Sequence, residues 1–336
     1  MKAAVFVGQG RLAARDWPRP RVGPGELLLR VRGCGLCGSD IAKIVNPATS
    51  HPAVFGHELV GDVVEAGEDT AGFSVGDRVV TAHHVPCGDC HYCARGSHSM
   101  CHAFKTSSLD PGGFAEFVRV PAPNVRHATF RLPDHLTDEE GTFVEPLACV
   151  LRAVERSGVR RGDTAAVVGL GSIGCLFVQL LRRAGATVGG VDPIVDRAAL
   201  ARGLGADVAG ADEEVATALR ARSGGRGADQ VFVTGGGTRV LPWAAALARD
   251  GGQVHFFAGD EDGTLPLPLA TLYHRELTLT ATYSSSPATL GRAFWLLAAG
   301  KVEVDRLITH RLPLERLAEG VELMRCREAL KVYVTP

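Results

Sequence analysis

The chain has 336 residues, 46% hydrophobic and 22% charged, with 36 Lys+Arg against 37 Asp+Glu for a formal charge of −1. That length exceeds what one hydrophobic core usually reaches, so two domains are expected, and 41 glycines with 6% aromatics indicate a globular chain rich in tight turns. No basic block suggests a nucleic-acid or anionic-membrane surface, and no window reaches the roughly 18 apolar residues of a membrane span, which leaves a small molecule as the expected partner.

The N-terminal stretch MKAAVFVGQGRLAARDW has a five-residue apolar run, Ala3 to Val7, too short for the core of a signal peptide. A cytoplasmic protein is expected. Nine cysteines, an odd number, then favour metal ligation over disulfides, because a reducing compartment keeps thiols free.

The first constellation is Gly35-Leu-Cys37-Gly-Ser39-Asp40, followed twenty residues after Cys37 by Gly56-His57-Glu58. A lone cysteine is most often a small buried hydrophobe, and a lone His-Glu pair is most often a solvated one. Together they offer a thiolate, an imidazole and a carboxylate, mixed ligands that leave one zinc position open for a reacting oxygen. A further ligand is sought in Phe143-Val-Glu145-Pro146, where the proline marks a helix start beside Glu145. Cys34-x2-Cys37 could instead be a redox pair, although it stands at a strand end rather than at a helix start.

Cys87, Cys90, Cys93 and Cys101 follow as C-x2-C-x2-C-x7-C. Three thiolates from one loop and a fourth closing from the far side suit a closed, structural zinc site. A bacterial iron–sulfur run would need a last gap of three and a proline after it; here the gap is seven and His102 follows.

Thr164 to Val168 reads as a buried strand running into Gly169-Leu-Gly171-Ser172-Ile173-Gly174, with helical periodicity from Cys175 to Ala184. A second strand, Thr187 to Val191, ends in Asp192 about twenty residues on, which completes the dinucleotide fingerprint. Asp192 would accept hydrogen bonds from the adenosine ribose and repel a 2′-phosphate. NAD is thus favoured, while Arg197 keeps NADP open. Strand candidates at Gln230 to Thr234, Gln253 to Phe257 and Leu277 to Tyr283 alternate with helical patterns at Glu213 to Arg222 and Leu241 to Arg249, the pattern of a doubly wound parallel sheet.

GLCGSD, GHE, the four-cysteine loop, VEPLA and GLGSIG, in this order, resemble the zinc-dependent medium-chain alcohol dehydrogenase family, in the branch of sorbitol and threonine dehydrogenases. The resemblance covers nearly the whole chain. It implies an α/β protein: a GroES-like β-barrel catalytic domain over residues 1–147 and 285–336, with a structural-zinc lobe near 87–101, and a doubly wound Rossmann NAD-binding domain over 148–284. It also implies two zinc ions per chain, with Cys37, His57 and Glu145 around the catalytic one, the last directly or through water, Glu58 as an adjacent exchanging ligand, Ser39 as a proton-relay hydroxyl and Asp40 orienting a ligand. His83, His84 and Tyr283 fall on segments that line the substrate pocket. The reaction implied is hydride transfer between NAD and a secondary alcohol of a polyol, cyclitol or amino alcohol, in a homodimer or homotetramer. Ala42 departs from relatives that carry a relay histidine there, and Thr282-Tyr283 stands where sorbitol dehydrogenases carry an Arg-Tyr pair. Two other functions stay open from sequence: a zinc-free quinone or enone reductase of the same fold, and a non-catalytic zinc and nucleotide sensor.

Overall fold

In the computed structural model, which describes residues 1–258 and 263–336, the chain folds as two units. One comprises Met1–Ala148 and Ser285–Pro336, the other Cys149–Ser284.

The first unit begins with β1 (Lys2–Phe6), β2 (Leu12–Asp16), β3 (Leu27–Gly35), β4 (Ala53–Val54), β5 (Glu58–Ala66), β6 (Arg78–Thr81), β7 (Phe117–Val120) and β8 (Thr129–Arg131). In β3, LLLRVRGCG, only Arg30 and Arg32 are exposed, and both reach Asp62 on the neighbouring β5. Leu27, Leu29, Val31 and Cys34 enter a core with Phe6, Leu59, Phe114 and Val118, and Leu28 is buried on the opposite face, so β3 is buried at both ends and touches water in its middle.

The second unit holds β9 (Thr164–Val168), β10 (Thr187–Val191), β11 (Val208–Gly210), β12 (Ala228–Val233), β13 (Ala248–Phe256) and β14 (Thr278–Ala281). All six run parallel in the order β11-β10-β9-β12-β13-β14, the doubly wound arrangement. The central β9, TAAVV, is buried along its whole length, as a strand covered on both faces must be. The helix Ser172–Arg183 packs through Phe177 against Phe232 and Phe257, ring centroids 4.8 and 5.1 Å away.

The chain then returns to the first unit with β15 (His310–Pro313) and β16 (Val332–Thr335). β16 pairs antiparallel with β3 beside Cys34 and Gly35, giving the sheet order β15-β16-β3-β5-β6-β8, with β7 also on β3.

Several boundaries differ from the sequence expectation. The helix expected to run to Arg249 stops at Leu247, because Ala248 already pairs with Ala228. The strand expected from Gln253 therefore starts five residues earlier, through a register irregularity that absorbs Gly251 at φ +68°. The last strand is only Thr278–Ala281. The helix Val195–Gly203 and β11 had no clear periodic signal, since the inward residues of the helix are mainly alanines.

Candidate metal centre and dinucleotide site

Cys37 follows β3 and caps the helix Gly38–Val45, while Glu58 opens β5 directly opposite Gly35 in the ladder. That pairing brings Cys37, His57 and Glu58 together, with one ligand atom from each lying within 4.8 Å of the others. Asp40 is fully buried behind them. Its carboxylate accepts from Cys37 N at 3.2 Å and Gly56 N at 3.3 Å, and lies 3.2 Å from His57 Nδ1. One carboxylate thus ties the helix start to the histidine segment, and by accepting from Nδ1–H it leaves Nε2 to serve as a metal ligand. Burial works against a positive charge on His57, but Asp40 and Cys37 outweigh it and hold its pKa well above the ordinary value. Surroundings that favour the imidazolium also suit a divalent cation.

Glu58 has a partner that the sequence did not announce. Its Oε2 accepts from Lys331 Nζ at 2.5 Å, and the same ammonium donates to Leu36 O at 3.3 Å. Burial alone would drive the Lys331 pKa down, but the charge of Glu58, then that of Cys37, raises it, so the lysine stays charged. A Cβ at position 35 would stand 2.3 Å from Glu58 Oε2, so glycine there is what lets the carboxylate pack against β3. The other oxygen, Oε1, is buried with no hydrogen-bond partner. A buried carboxylate oxygen beside a thiol and an imidazole is a donor set that fits zinc.

Glu145 is buried at the start of the helix Val144–Ser157, and its charge reaches Lys331, but it does not come within 4.8 Å of all three other ligand atoms. Ser39 is exposed, with Oγ 3.3 Å from Cys37 Sγ. The His83 ring lies 4.4 Å from that of His57 and 3.7 Å from that of His84, and its Nδ1 is buried without a partner. His84 Nδ1 donates to Ser107 O at 2.7 Å, which fixes the proton there and leaves Nε2 an acceptor. Burial, followed by the charges of His57 and Lys43, brings the His84 pKa to about 4 and outweighs the opposing bond to Ser107; His83 is pushed well below its usual value. Tyr283 belongs to the other unit, with its side chain exposed. Cys34 points into the core, and burial raises its pKa well above the usual thiol value, which removes it as a redox partner for Cys37.

The four clustered cysteines converge as well. Sulfur separations of 3.5 Å (Cys90–Cys93 and Cys87–Cys101) and 3.9 Å (Cys87–Cys93) rule out disulfides. A tetrahedron with zinc–sulfur bonds of about 2.3 Å has edges of about 3.8 Å, close to those separations. Among the described residues, the buried core of this lobe is Phe104 with Cys93 and Cys101, and Cys90 and Ala103 pack against it. Burial raises the Cys101 pKa, but backbone N–H groups of Cys87 and Phe104 outweigh it and bring the thiol to about 6, readying a thiolate.

In the second unit, Gly169 turns the chain out of β9 at φ +94°, and a Cβ at Gly174 would stand 1.9 Å from Gly169 O. The helix Ser172–Arg183 begins at Gly171 without a side-chain cap, leaving backbone N–H groups free for a pyrophosphate. Asp192, just past β10, accepts from Leu170 N at 2.8 Å and Ile194 N at 2.9 Å, and Arg197 Nη1 lies 3.9 Å from it. The acid therefore also braces the glycine turn. Thr234, expected only as the end of a strand, follows β12 and donates to Gly169 O at 2.7 Å.

Residues 23–134 match the family described as alcohol dehydrogenase GroES-like domain, and residues 172–299 match zinc-binding dehydrogenase. The sorbitol dehydrogenase of Halalkalibacterium halodurans is 31% identical, covering 100% of this chain and 99% of its own. The L-threonine 3-dehydrogenase of Bacillus velezensis is 31% identical over 96% of this chain and 94% of its own. Among solved structures, an alcohol dehydrogenase from Thermus sp. ATN1 superposes with a TM-score of 0.88 at 31% identity, covering 100% and 99% of the two chains. The two units accordingly have the GroES-like and Rossmann folds.

Proposed function

We propose that this chain, which belongs to the zinc-dependent medium-chain alcohol dehydrogenase family in its polyol-dehydrogenase branch, transfers hydride between NAD and a secondary alcohol of a polyol, cyclitol or amino alcohol. The observation that carries this is the convergence of Cys37, His57 and Glu58 within 4.8 Å, backed by Asp40. Sorbitol and threonine, named for two relatives, bracket the substrate range.

Cys37, His57 and Glu58 would hold a catalytic zinc, Glu58 taking the place expected of Glu145, which would reach it directly or through water, and the four cysteines would hold a structural one. Zinc held there would supply Lewis acidity toward a substrate hydroxyl, and NAD would supply the hydride acceptor. Asp40 fixes the ring of His57. Ser39 Oγ, 3.3 Å from Cys37 Sγ, takes the hydroxyl proton and passes it to water, since Ala42 offers no ring. His83 and His84 bind substrate hydroxyls; at His84, Nε2 is the acceptor. Asp192 receives the ribose hydroxyls and opposes a 2′-phosphate, so NAD is the preferred cofactor. A zinc-free reductase would have no use for the converging ligands.

A cytoplasmic location, proposed from the sequence, goes with thiols kept for metal ligation, and no helix among the described residues is long and apolar enough to cross a membrane. The edge strand β14 would pair with its copy in a homodimer or homotetramer, and a monomer by sedimentation velocity would end that assignment.

The deciding experiment measures zinc per chain and NAD reduction on a panel of polyols, cyclitols and amino alcohols. Two zincs with turnover are expected. One zinc and no turnover would overturn the catalytic centre and favour a nucleotide sensor.

A further inference from the structure

We propose that Lys43 makes this centre prefer a hydroxylated substrate bearing an anionic group, a carboxylate or phosphate, over its neutral counterpart; the inference rests on the dehydrogenase function proposed above. Ser39 and Lys43 stand four residues apart in the helix Gly38–Val45, so both project from the same face, one turn apart. Lys43 Nζ lies 5.8 Å from the ring centroid of Phe55, two residues before His57. The ammonium is therefore held beside the segment that carries the histidine ligand, and its charge is felt at Asp40, His83 and His84.

The charges around it explain why an anion is the matching partner. The carboxylates in this part of the molecule already have cationic partners: Asp40 faces His57, and Glu58 holds Lys331. Lys331 is buried and committed, so it cannot meet a substrate. Lys43 is exposed and, among the described residues, makes no ion pair. Its contact with Phe55 leaves the N–H donors unsatisfied by protein acceptors. A neutral polyol would gain only ordinary hydrogen bonds from His83 and His84. A hydroxy acid or polyol phosphate would in addition form a charge-assisted bond to Lys43.

The test uses the full-length, zinc-loaded protein and matched series: xylitol, xylonate and xylitol 5-phosphate, then sorbitol, gluconate and sorbitol 6-phosphate. Steady-state kinetics are paired with calorimetric binding of each compound, for the native chain, Lys43→Gln and Lys43→Arg. In at least one series the native chain should favour an anionic member by about tenfold in kcat/KM, mostly through KM, with a preference that shrinks as salt rises. Lys43→Gln should lower the anionic-to-neutral ratio about tenfold and Lys43→Arg should restore most of it. Which anion gains identifies carboxylate or phosphate. Equal constants for neutral and anionic members in every series, or a ratio unmoved by Lys43→Gln, would overturn the proposal while leaving the dehydrogenase intact. No binding or turnover of any member would remove both.

Discussion

The buried pair of Lys331 and Glu58 yields the most demanding prediction. Lys331 is 3% exposed and Glu58 1%, with 2.5 Å between Nζ and Oε2. Replacing lysine by methionine keeps the volume of the stem but strands a carboxylate that already has one unpartnered oxygen. Removing one partner of a buried ion pair costs about 3–5 kcal/mol, because the remaining charge stays desolvated. For a unit of this size that corresponds to a fall of roughly 6–20 °C in Tm. Glu58→Gln should also destabilise by leaving the ammonium alone. The double variant Glu58→Gln/Lys331→Met buries no charge at this point and should be more stable than the sum of the singles implies, with a coupling of about 2 kcal/mol or more. The assay is thermal unfolding of all four proteins at one protein concentration, with zinc and after chelation. Zinc should recover part of the Lys331→Met loss, since the freed Oε2 can serve as a ligand. Additive single effects, with coupling under about 0.5 kcal/mol, would refute the claim that the two charges depend on each other.

Two further predictions concern the second unit. At Gly171 a Cβ would meet nothing within 4 Å, whereas at Gly174 it would meet the Gly169 carbonyl at 1.9 Å. Gly171→Ala should therefore keep its Tm but lose NADH affinity, as the added methyl intrudes where the pyrophosphate approaches, while Gly174→Ala should lose about 1–3 kcal/mol of stability as well; equal Tm losses in thermal scans would contradict this. His255 is fully buried on β13, with Nε2 2.9 Å from Thr282 Oγ1, and burial, then the charge of Arg156, lowers its pKa to about 4. The unfolded chain, with its histidine near 6.5, binds more protons between those values, so stability falls as pH drops through that window, by about 2 kcal/mol at pH 5 from this group. His255→Phe should remove roughly one proton from the pH dependence of unfolding, and an unchanged slope would show that the ring is charged or solvated in the folded state.

What was legible in the sequence is what depends on short separations. The glycine turn and the cysteine quartet each lie within a few residues, so their spacing nearly dictates their geometry. Cys37 and His57 are joined by one helix and a return to the adjacent strand, and their residue types announced them. Lys331 could not be found this way: it lies 273 residues from Glu58 and reads as an ordinary strand residue in Leu330-Lys-Val-Tyr-Val334. Its one faint signal is a charge at the head of an apolar run. Glu145 shows the converse, since its motif was clear but its distance from the other ligands depends on how the helix Val144–Ser157 lies, which no local pattern reports.

The C-terminal strand takes part in building the candidate metal centre. β16 pairs with β3 through Tyr333↔Gly35 and Val334↔Cys34, and Gly35 is also the residue that faces Glu58 on β5. Glu58 takes its counter-charge from Lys331, the residue just before β16, and that segment offers none of the proposed ligands. Tyr333 is committed to the same contact: its ring occupies the space that a side chain at Gly33 would need, and its hydroxyl donates to Arg32 O at 3.2 Å. The two glycines of β3 thus serve two different residues of the returning strand's neighbourhood, Gly33 the Tyr333 ring and Gly35 the Glu58 carboxylate. Closure of the barrel sheet and charge compensation of Glu58 in the candidate metal centre consequently share one packing contact, and a lysine outside the proposed ligand set is buried there to balance the carboxylate.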